Sequence, residues 1–438
     1  MLPLKSRKQV GEMRKIDQNI FRRIFQDHWE GFKEKFPCYD SENYNKNVEK
    51  MLGCGKEEGG YSEYMCPHCG GDLRRIAFTC KGSFCLSCAQ KYTDDFVAQI
   101  SKMLRPGLRY RHIVLTIPEQ LRPFFYKNRF NGKLLSAFMR CGYSCLEDVL
   151  SYVLRQKVKI GAIIVVQTHG RSGKYNPHLH IIMTSGGIDE ETGSWRELVY
   201  FPYEIIHKKW QYYLLKMLRE FDRSVEMNAL INDLYRKYPK GFVAFVTKGD
   251  VPEKCRGLAK YLAKYVASPP IAVRRIIKYT GKYVTYWYKD HQTKRKEVVT
   301  VDVYTFIGRM VQHIMPKNFQ RVRYYGLQAT KTFTKWSEAI KEGLQKVGRV
   351  IKGVYEIIRE KTYRERYQEM SGKDPFICRN CGREMILWKL WHPDYGILYD
   401  EEERMRSGMY DKWCDDEHGG GQAVRPATGG VQLSLFSL

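Results

Sequence analysis

Pro177-His178-Leu179-His180-Ile181 sets two histidines on either side of one leucine, inside an apolar run that continues through Ile182 and Met183. Side chains two apart in a β-strand point to the same face, so the two imidazoles project together and form half of a metal site before any loop folds. The run reads as a strand because its bulk is apolar, and Ser185-Gly186-Gly187 reads as the turn that ends it. Two imidazoles so placed suit a metal bound to a substrate. They would also suit an ordinary strand whose histidines are satisfied by their neighbours, and the rest of the chain has to decide between the two.

Outward from this strand the pattern is that of a mixed helix and strand domain, α+β in class. On the N-terminal side lie a helix ending near Leu104, a strand at Tyr110–Ile117, helices through 119–157 and a strand at Ala162–Thr168. On the C-terminal side the spacing predicts helix over 203–235, a strand at Gly241–Thr247 and a helix at Lys254–Val266. Two or three strands over 276–304, a helix around Tyr304–His313 and a strand at Arg321–Tyr325 follow. Residues from about 8 to 35 read as an amphipathic helix, with Ile16, Ile20, Phe21, Ile24 and Phe25 at helical spacing. These signals divide the chain into an N-terminal helix with a cysteine-rich module (1–92), a central domain (93–330), a C-terminal extension (331–418) and a Gly-rich tail (419–438) expected to be disordered.

The chain is 438 residues long and carries 74 Lys and Arg against 48 Asp and Glu, a net charge of +26. Such an excess favours a polyanionic partner through counterion release, and nucleic acid is the first candidate. No apolar run reaches membrane-spanning length, and neither a signal peptide nor a lipidation motif is visible, so a soluble, cytoplasmic protein without a membrane partner is expected.

Thirteen cysteines in a basic chain of this length read as metal ligands rather than disulfides. Cys66-Pro67-His68-Cys69 and Cys85-Leu86-Ser87-Cys88 are two Cys-x-x-Cys knuckles at nearly the spacing of a four-thiolate zinc ribbon. A closed site of that kind has no open position for substrate, so its role is structural. Cys54 and Cys80 are left over, either as ligands of a second site with His68 or as buried thiols. Cys378 and Cys381 form a further knuckle whose completing ligands the spacing does not identify, and they stand as a possible second zinc site.

The 31 tyrosines include four Tyr-x-x-x-Tyr pairs, at 261/265, 279/283, 363/367 and 395/399, so the spacing alone decides nothing. Only Tyr261 and Tyr265 fall in a convincing helix of the central domain, where i and i+4 share a face and Lys260 and Lys264 run beside them. An aromatic ridge buried in the core is the alternative.

Taken together, these residues resemble the HUH single-strand nucleases with two tyrosines, and among them the IS91-type transposases. The likeness runs from the Cys-x-x-Cys module through His112-Ile113-Val114-Leu115-Thr116-Ile117-Pro118, Gln167-Thr168-His169-Gly170, Pro177-His178-Leu179-His180, Tyr261-Leu262-Ala263-Lys264-Tyr265 and Arg323-Tyr324-Tyr325-Gly326. Residue 169 departs from the pattern, for an aromatic is expected there and a histidine stands. The resemblance implies an antiparallel HUH-type sheet flanked by helices. It also implies a Mg or Mn ion on His178 and His180, with Gln167 or His169 as third ligand and Gln167 fitting the family. Tyr261 and Tyr265 would be nucleophiles forming 5′-phosphotyrosine links in rolling-circle-like transposition.

Single-stranded DNA at the ends of the element and at its target would be held by phosphate contacts and base stacking. Residues 271–325 carry 12 Lys and Arg against 3 Asp and Glu, interleaved with aromatics. Lys260, Lys264, Arg274, Arg275, Lys282, Tyr286, Trp287, Arg321 and Arg323 are therefore the expected contacts, with a solvated sheet edge as the alternative. Gln432-Leu433-Ser434-Leu435-Phe436 resembles the peptide that docks into the bacterial sliding clamp, with Gln432, Leu433, Leu435 and Phe436 as anchors. That would place the enzyme in the bacterial cytoplasm at the nucleoid. Two other readings use the same residues: an HUH replication initiator, and a non-catalytic zinc-dependent DNA-binding regulator in which the histidines and tyrosines are structural.

Overall fold

The computed structural model describes residues 17–105, 108–200, 202–246, 269–290, 293–348 and 359–407. The chain divides into two compact units, one made of Met1–Cys54 with Thr79–Tyr363 and the other of Gly55–Phe78 with Arg364–Leu438. This division cuts across the linear segments 1–92, 93–330 and 331–418 expected from sequence. Residues 55–78 leave the N-terminal segment and fold with the C-terminal extension, because strand β1 (Tyr61–Met65) pairs with a strand more than three hundred residues later.

The larger unit begins with helices α1 (Ile20–Lys35) and α2 (Glu42–Leu52). Helix α3 (Ala89–Met103) leads into strand β3 (Tyr110–Thr116), then α4 (Arg122–Lys127) and α5 (Gly132–Leu154). The Asn131 side chain starts α5 by accepting from the Lys133 and Leu134 amides, two of the donors that a helix start leaves unpaired. Strands β4 (Val158–His169), β5 (Tyr175–Asp189) and β6 (Trp195–Glu197) follow, then α6 (Tyr203–Phe221), α7 (Val225–Lys237) and β7 (Ala244–Val246). Strand β11 (Val322–Gly326) completes a sheet of order β11-β4-β5-β3-β7, with β6 on β5, in which every pairing is antiparallel. The antiparallel α+β class is therefore the class observed.

Helices α5, α6 and α7 cover one face of this sheet, packing on Leu115, Ile164, Val166, Leu179 and Ile181. Helix α3 and the helix Phe333–Lys346 cover part of the other, on Ile163, Val165 and Ile182. The alternation along β4 and β5 follows the period of two that a sheet with both faces covered requires. Gly142 lets α5 come down onto the strand that carries the histidines, since a Cβ there would lie 2.5 Å from Leu179 Cδ1.

The expected turn at Ser185-Gly186-Gly187 is not a turn, because β5 runs on to Asp189. The glycines serve close packing instead. A Cβ on Gly186 would fall 2.3 Å from the Arg196 carbonyl oxygen, and one on Gly187 would fall 2.6 Å from that of Lys159. A second core of the same unit joins α1 and α2 to a three-stranded sheet of β8 (Ile276–Tyr279), β9 (Tyr283–Lys289) and β10 (Lys296–Asp302), and to the helix Val303–Val311.

The smaller unit is a four-stranded sheet of order β13-β12-β1-β2, built from β1, β2 (Leu73–Ala77), β12 (Ile386–His392) and β13 (Gly396–Asp400). Among the described residues its buried apolar cluster is Cys66, Cys378 and Met385 with Tyr64 against them. Among the described residues no helix is long and apolar enough to cross a membrane.

Candidate metal centres and nucleic-acid interface

The register of β4 against β5 places Gln167 directly opposite His178, with Val165 opposite His180, so that the three polar side chains meet on one face of the sheet. His178 Nε2 lies 2.9 Å and His180 Nε2 3.1 Å from Gln167 Oε1. His178 Nδ1 donates to the Asn176 carbonyl oxygen at 2.7 Å, which leaves Nε2 with a lone pair and no proton. The Gln167 amide nitrogen donates to His169 Nε2 at 3.2 Å, so its oxygen faces the imidazoles. Two acceptors thus face each other 2.9 Å apart, an arrangement that a cation relieves.

Burial disfavours a proton as that cation. It pushes His178 below the usual histidine range and His180 further, the neighbouring histidines adding to the effect on His180. An octahedral Mg or Mn at ~2.0–2.1 Å from its ligands separates adjacent ligand atoms by about 2.8–3.0 Å. The two spacings fit that ion, and neutral imidazoles with an amide oxygen fit its donor chemistry.

Of the two candidates for third ligand, Gln167 is the one whose oxygen meets the histidines. A register shift between Gln167 and His169 sets His169 opposite Tyr175 and away from His178. His169 instead fixes the orientation of the Gln167 amide.

His112, which the sequence offers only inside a longer motif, belongs to this group as well. It lies one strand over on β3 with its Nε2 3.0 Å from His180 Nδ1, and the two rings stack 9° from parallel. When His180 Nδ1 donates to it, His180 Nε2 is left unprotonated toward Gln167. Burial lowers His112 to about 4, which keeps it a neutral acceptor at pH 7. The available signal was the even spacing of Tyr110, His112 and Val114, which puts His112 on one face of β3; the pairing of β3 with β5 that brings this face beside His180 is tertiary.

The cysteines form two clusters, and neither is the expected Cys66, Cys69, Cys85 and Cys88 site. Cys54, Cys80, Cys85 and Cys88 converge in the larger unit, while Cys66, Cys69, Cys378 and Cys381 converge in the smaller, the sulfurs of each set within 4.8 Å of one another. Sulfur pairs at 3.4 and 3.6 Å in both clusters approach the edge of about 3.8 Å that a tetrahedral Zn–S bond of ~2.3 Å gives. The ribbon spacing misleads because β1 and β2 flank the first knuckle, and the pairing of β1 with β12 carries that knuckle to Cys378 and Cys381. The leftover Cys54 and Cys80 thus cluster with the Cys85 knuckle, and Cys378 and Cys381 complete a cluster with the Cys66 knuckle. His68 joins neither, its Nδ1 accepting from Arg383 at 2.7 Å.

The expected DNA contacts divide. Tyr286 is in the core at 2 % exposure, its hydroxyl donating to the Ser172 carbonyl and accepting from Arg309, so it presents no face to a base. The stripe failed there because β9 turns alternate residues onto α1 and the helix Val303–Val311. Trp287 lies beneath the cations of Lys296 and Arg275, at 4.7 and 5.6 Å from its ring. Arg274 and Lys282 are exposed. Arg323 donates to Ser136 Oγ at 2.7 Å, and Arg321 is half-buried beside it. Lys260, Tyr261, Lys264 and Tyr265, with the helix expected to carry them, lie outside the described residues, as do Gln432, Leu433, Leu435 and Phe436.

A three-histidine and glutamine cluster on an antiparallel sheet, joined to thiolate clusters in a strongly basic chain, belongs to a DNA-processing protein with structural zinc. Family models agree: a putative transposase model matches residues 161–335, and a transposase zinc-binding domain model matches residues 24–117. The chain belongs to the IS91-type transposases. It is 27% identical over 364 residues to the transposase for insertion sequence element IS801 of Pseudomonas savastanoi pv. phaseolicola, covering 78% of this chain and 82% of that one. A putative transposase, y4qJ, of Sinorhizobium fredii is 24% identical over 348 residues, 75% of this chain and 84% of its own. No solved structure matches. As a transposase the protein acts on DNA, and the zinc-binding match with the cysteine clusters supports structural zinc.

Proposed function

We propose that this transposase nicks and rejoins single-stranded DNA through 5′-phosphotyrosine links, with Tyr261 and Tyr265 as nucleophiles and His178, His180 and Gln167 as ligands of a Mg or Mn ion. The observation that carries the reading is the meeting of His178 Nε2 and Gln167 Oε1, two acceptors 2.9 Å apart with His180 Nε2 as a third beside them. The bound ion would supply Lewis-acid stabilisation of charge on the scissile phosphate and on the departing 3′ oxygen.

The phenol of one tyrosine loses its proton, and its oxygen forms a bond to phosphorus while the bond from phosphorus to the 3′ oxygen breaks. The 3′ oxygen takes up a proton, and the 5′ phosphate stays on the tyrosine. An unperturbed phenol titrates near 10, so Lys260 and Lys264, one position before each tyrosine in the sequence, would favour the phenolate. The phosphodiester is kept as a phosphotyrosine ester, so attack by a new 3′ hydroxyl restores a continuous strand and frees the phenol without ATP. Two tyrosines allow one end to be held while the other is cut, as rolling-circle-like transposition requires.

The test mixes the protein and a labelled single strand bearing the element's end with Mg or Mn, followed by denaturing electrophoresis. A metal-dependent covalent adduct that vanishes in His178→Ala and in the Tyr261→Phe, Tyr265→Phe double variant is expected. Intact DNA binding without an adduct would refute the nuclease reading in favour of a non-catalytic DNA-binding protein. Docking of Gln432-Leu433-Ser434-Leu435-Phe436 to a sliding clamp belongs to the same proposal. Clamp pull-down that survives deletion of residues 431–438 would dismiss it.

A further inference from the structure

Two recesses of about 350 and 830 Å³ meet in the larger unit and share Ser83, Met315, Phe319 and Arg321 in their walls. One end is bounded by α2, whose Asn43, Lys46, Asn47 and Lys50 fall at i, i+3, i+4 and i+7 and so form one helix face. The other end wraps the open edge of β11, the outermost strand of the catalytic sheet, where Arg323, Tyr324 and Arg140 line it.

The charge of the lining is one-sided. Lys46, Lys50, Lys317, Arg321, Arg323 and Arg140 stand against the single acid Glu42, and Lys317 already pairs with Glu42 at 3.1 Å. Lys46, Lys50, Arg140 and Arg321 have no acidic partner among the described residues. Arg321 carries most of the argument, because it lies in both walls and makes no side-chain hydrogen bond among the described residues. Unpaired, partly desolvated guanidinium is costly unless an anion completes it. Bare cations on an edge strand also deter sheet-to-sheet pairing, but that explains neither α2's basic face nor a recess between them.

We infer that this groove, walled by α2 and by the edge of β11, holds a stretch of single-stranded DNA with its phosphates on Lys46, Lys50, Arg321 and Arg140. The inference rests on the reading that the substrate is single-stranded, and it moves the principal strand-binding surface away from the β9 stripe read from sequence. A single backbone fits recesses of this volume, whereas a duplex, with two charged backbones wound around a stacked core, does not enter them. Phe319, beneath the Arg323 guanidinium at 5.5 Å, offers a ring on which a base can stack. The groove also runs close to the metal centre. The Arg321 carbonyl accepts from the Val166 amide at 3.2 Å, one residue before Gln167 and one strand spacing of ~4.8 Å away. A strand on Arg321 is thereby brought beside the strand that carries Gln167.

The experiment measures anisotropy of a labelled dT homopolymer with the full chain, at several salt concentrations, with no Mg or Mn added. The Lys46→Ala, Lys50→Ala, Arg140→Ala triple variant is compared with Lys208→Ala, Lys216→Ala, Lys237→Ala, which removes the same charge from helices α6 and α7. Zinc content and melting temperature serve as checks on folding. Each lost phosphate contact lowers the slope of log affinity against log salt by about 0.7 on a single strand, so the groove variant should lose about 2 and the control almost nothing. Arg321→Gln should weaken binding at least as much as any one lysine. Equal slopes for the two triple variants, or a loss confined to duplex DNA, would overturn the inference. Because the titration reads binding and no cleavage, its outcome stands whether or not the covalent adduct forms.

Discussion

Replacing Cys66 together with Cys378 by serine should remove one zinc ion per chain, whereas replacing Cys66 together with Cys85 should remove both. The first pair belongs to one thiolate cluster and the second pair spans two. Metal content by mass spectrometry should read two ions for the unaltered chain, one for the first double variant and none for the second. The two losses should also differ in consequence. A structural zinc contributes on the order of 10–16 kcal/mol in small zinc folds. Among the described residues the buried cluster around Cys66 holds Cys378, Met385 and Tyr64, and burying one methionine contributes about 1.5–3 kcal/mol, far less than the metal would. Limited proteolysis of Cys66→Ser should therefore cut within 55–78 and 364–407 and spare the rest. Cys54, Cys85 and Cys88 instead sit in a core with Phe21, Phe25, Tyr44 and Phe306, which should keep α1 and α2 associated after metal loss, though less stably. One zinc retained in the Cys66→Ser, Cys85→Ser variant would mean that the two knuckles share an ion after all, and would refute the partition.

Four residues around the histidines give further tests. His112→Ala should weaken Mn binding, followed by electron paramagnetic resonance, by about 10–100-fold, as loss of an outer hydrogen-bond partner does, and His112→Gln should restore part of it; unchanged Mn affinity in His112→Ala would show that His180 needs no such partner. Gln167→Leu should abolish Mn binding, while His169→Phe, which removes only the acceptor that orients the Gln167 amide, should weaken it modestly. The reverse order would make His169 the ligand. Gly142→Val should lower the melting temperature by an amount equivalent to about 1–3 kcal/mol, because its added carbon begins 2.5 Å from Leu179. An unchanged melting temperature would mean that α5 has room to retreat.

The helices and strands of the larger unit were legible wherever one periodicity ran unbroken. His178 and His180 were legible as a pair because a period of two is local; the same rule put Gln167 and His169 together on one face of the preceding strand, and only the family resemblance preferred Gln167. His112 was not, since its relation to His180 depends on which strand lies next to β5 in the sheet. The cysteines show the same limit from the other side. A Cys-x-x-Cys knuckle is a local signal and each N-terminal knuckle lies in a four-cysteine cluster, but partner choice belongs to topology: a strand near residue 390 takes the first knuckle away from the second. Tyr286 misled because an aromatic stripe reads alike whether it faces a ligand or a core, and Phe306 and Arg309 of the helix Val303–Val311 are what meet it.

The first thiolate cluster also bears on the proposed groove. Helix α2 ends at Leu52, two residues before Cys54, and the Cys54 carbonyl oxygen accepts from Arg22 on α1 at 2.6 Å. A metal held by Cys54, Cys80, Cys85 and Cys88 therefore anchors the C-terminal end of α2 to the segment that opens α3, which begins at Ala89 directly after Cys88. Lys46 and Lys50 stand within two turns of that anchor on one wall of the groove, while Tyr92 and Phe96 on α3 stand as close to it on the other recess. A closed four-thiolate site cannot touch substrate, yet this one fixes the distance between two walls that would. Zinc bound there would be structural, and in the proposed groove the property it would stabilise is the spacing of the two walls.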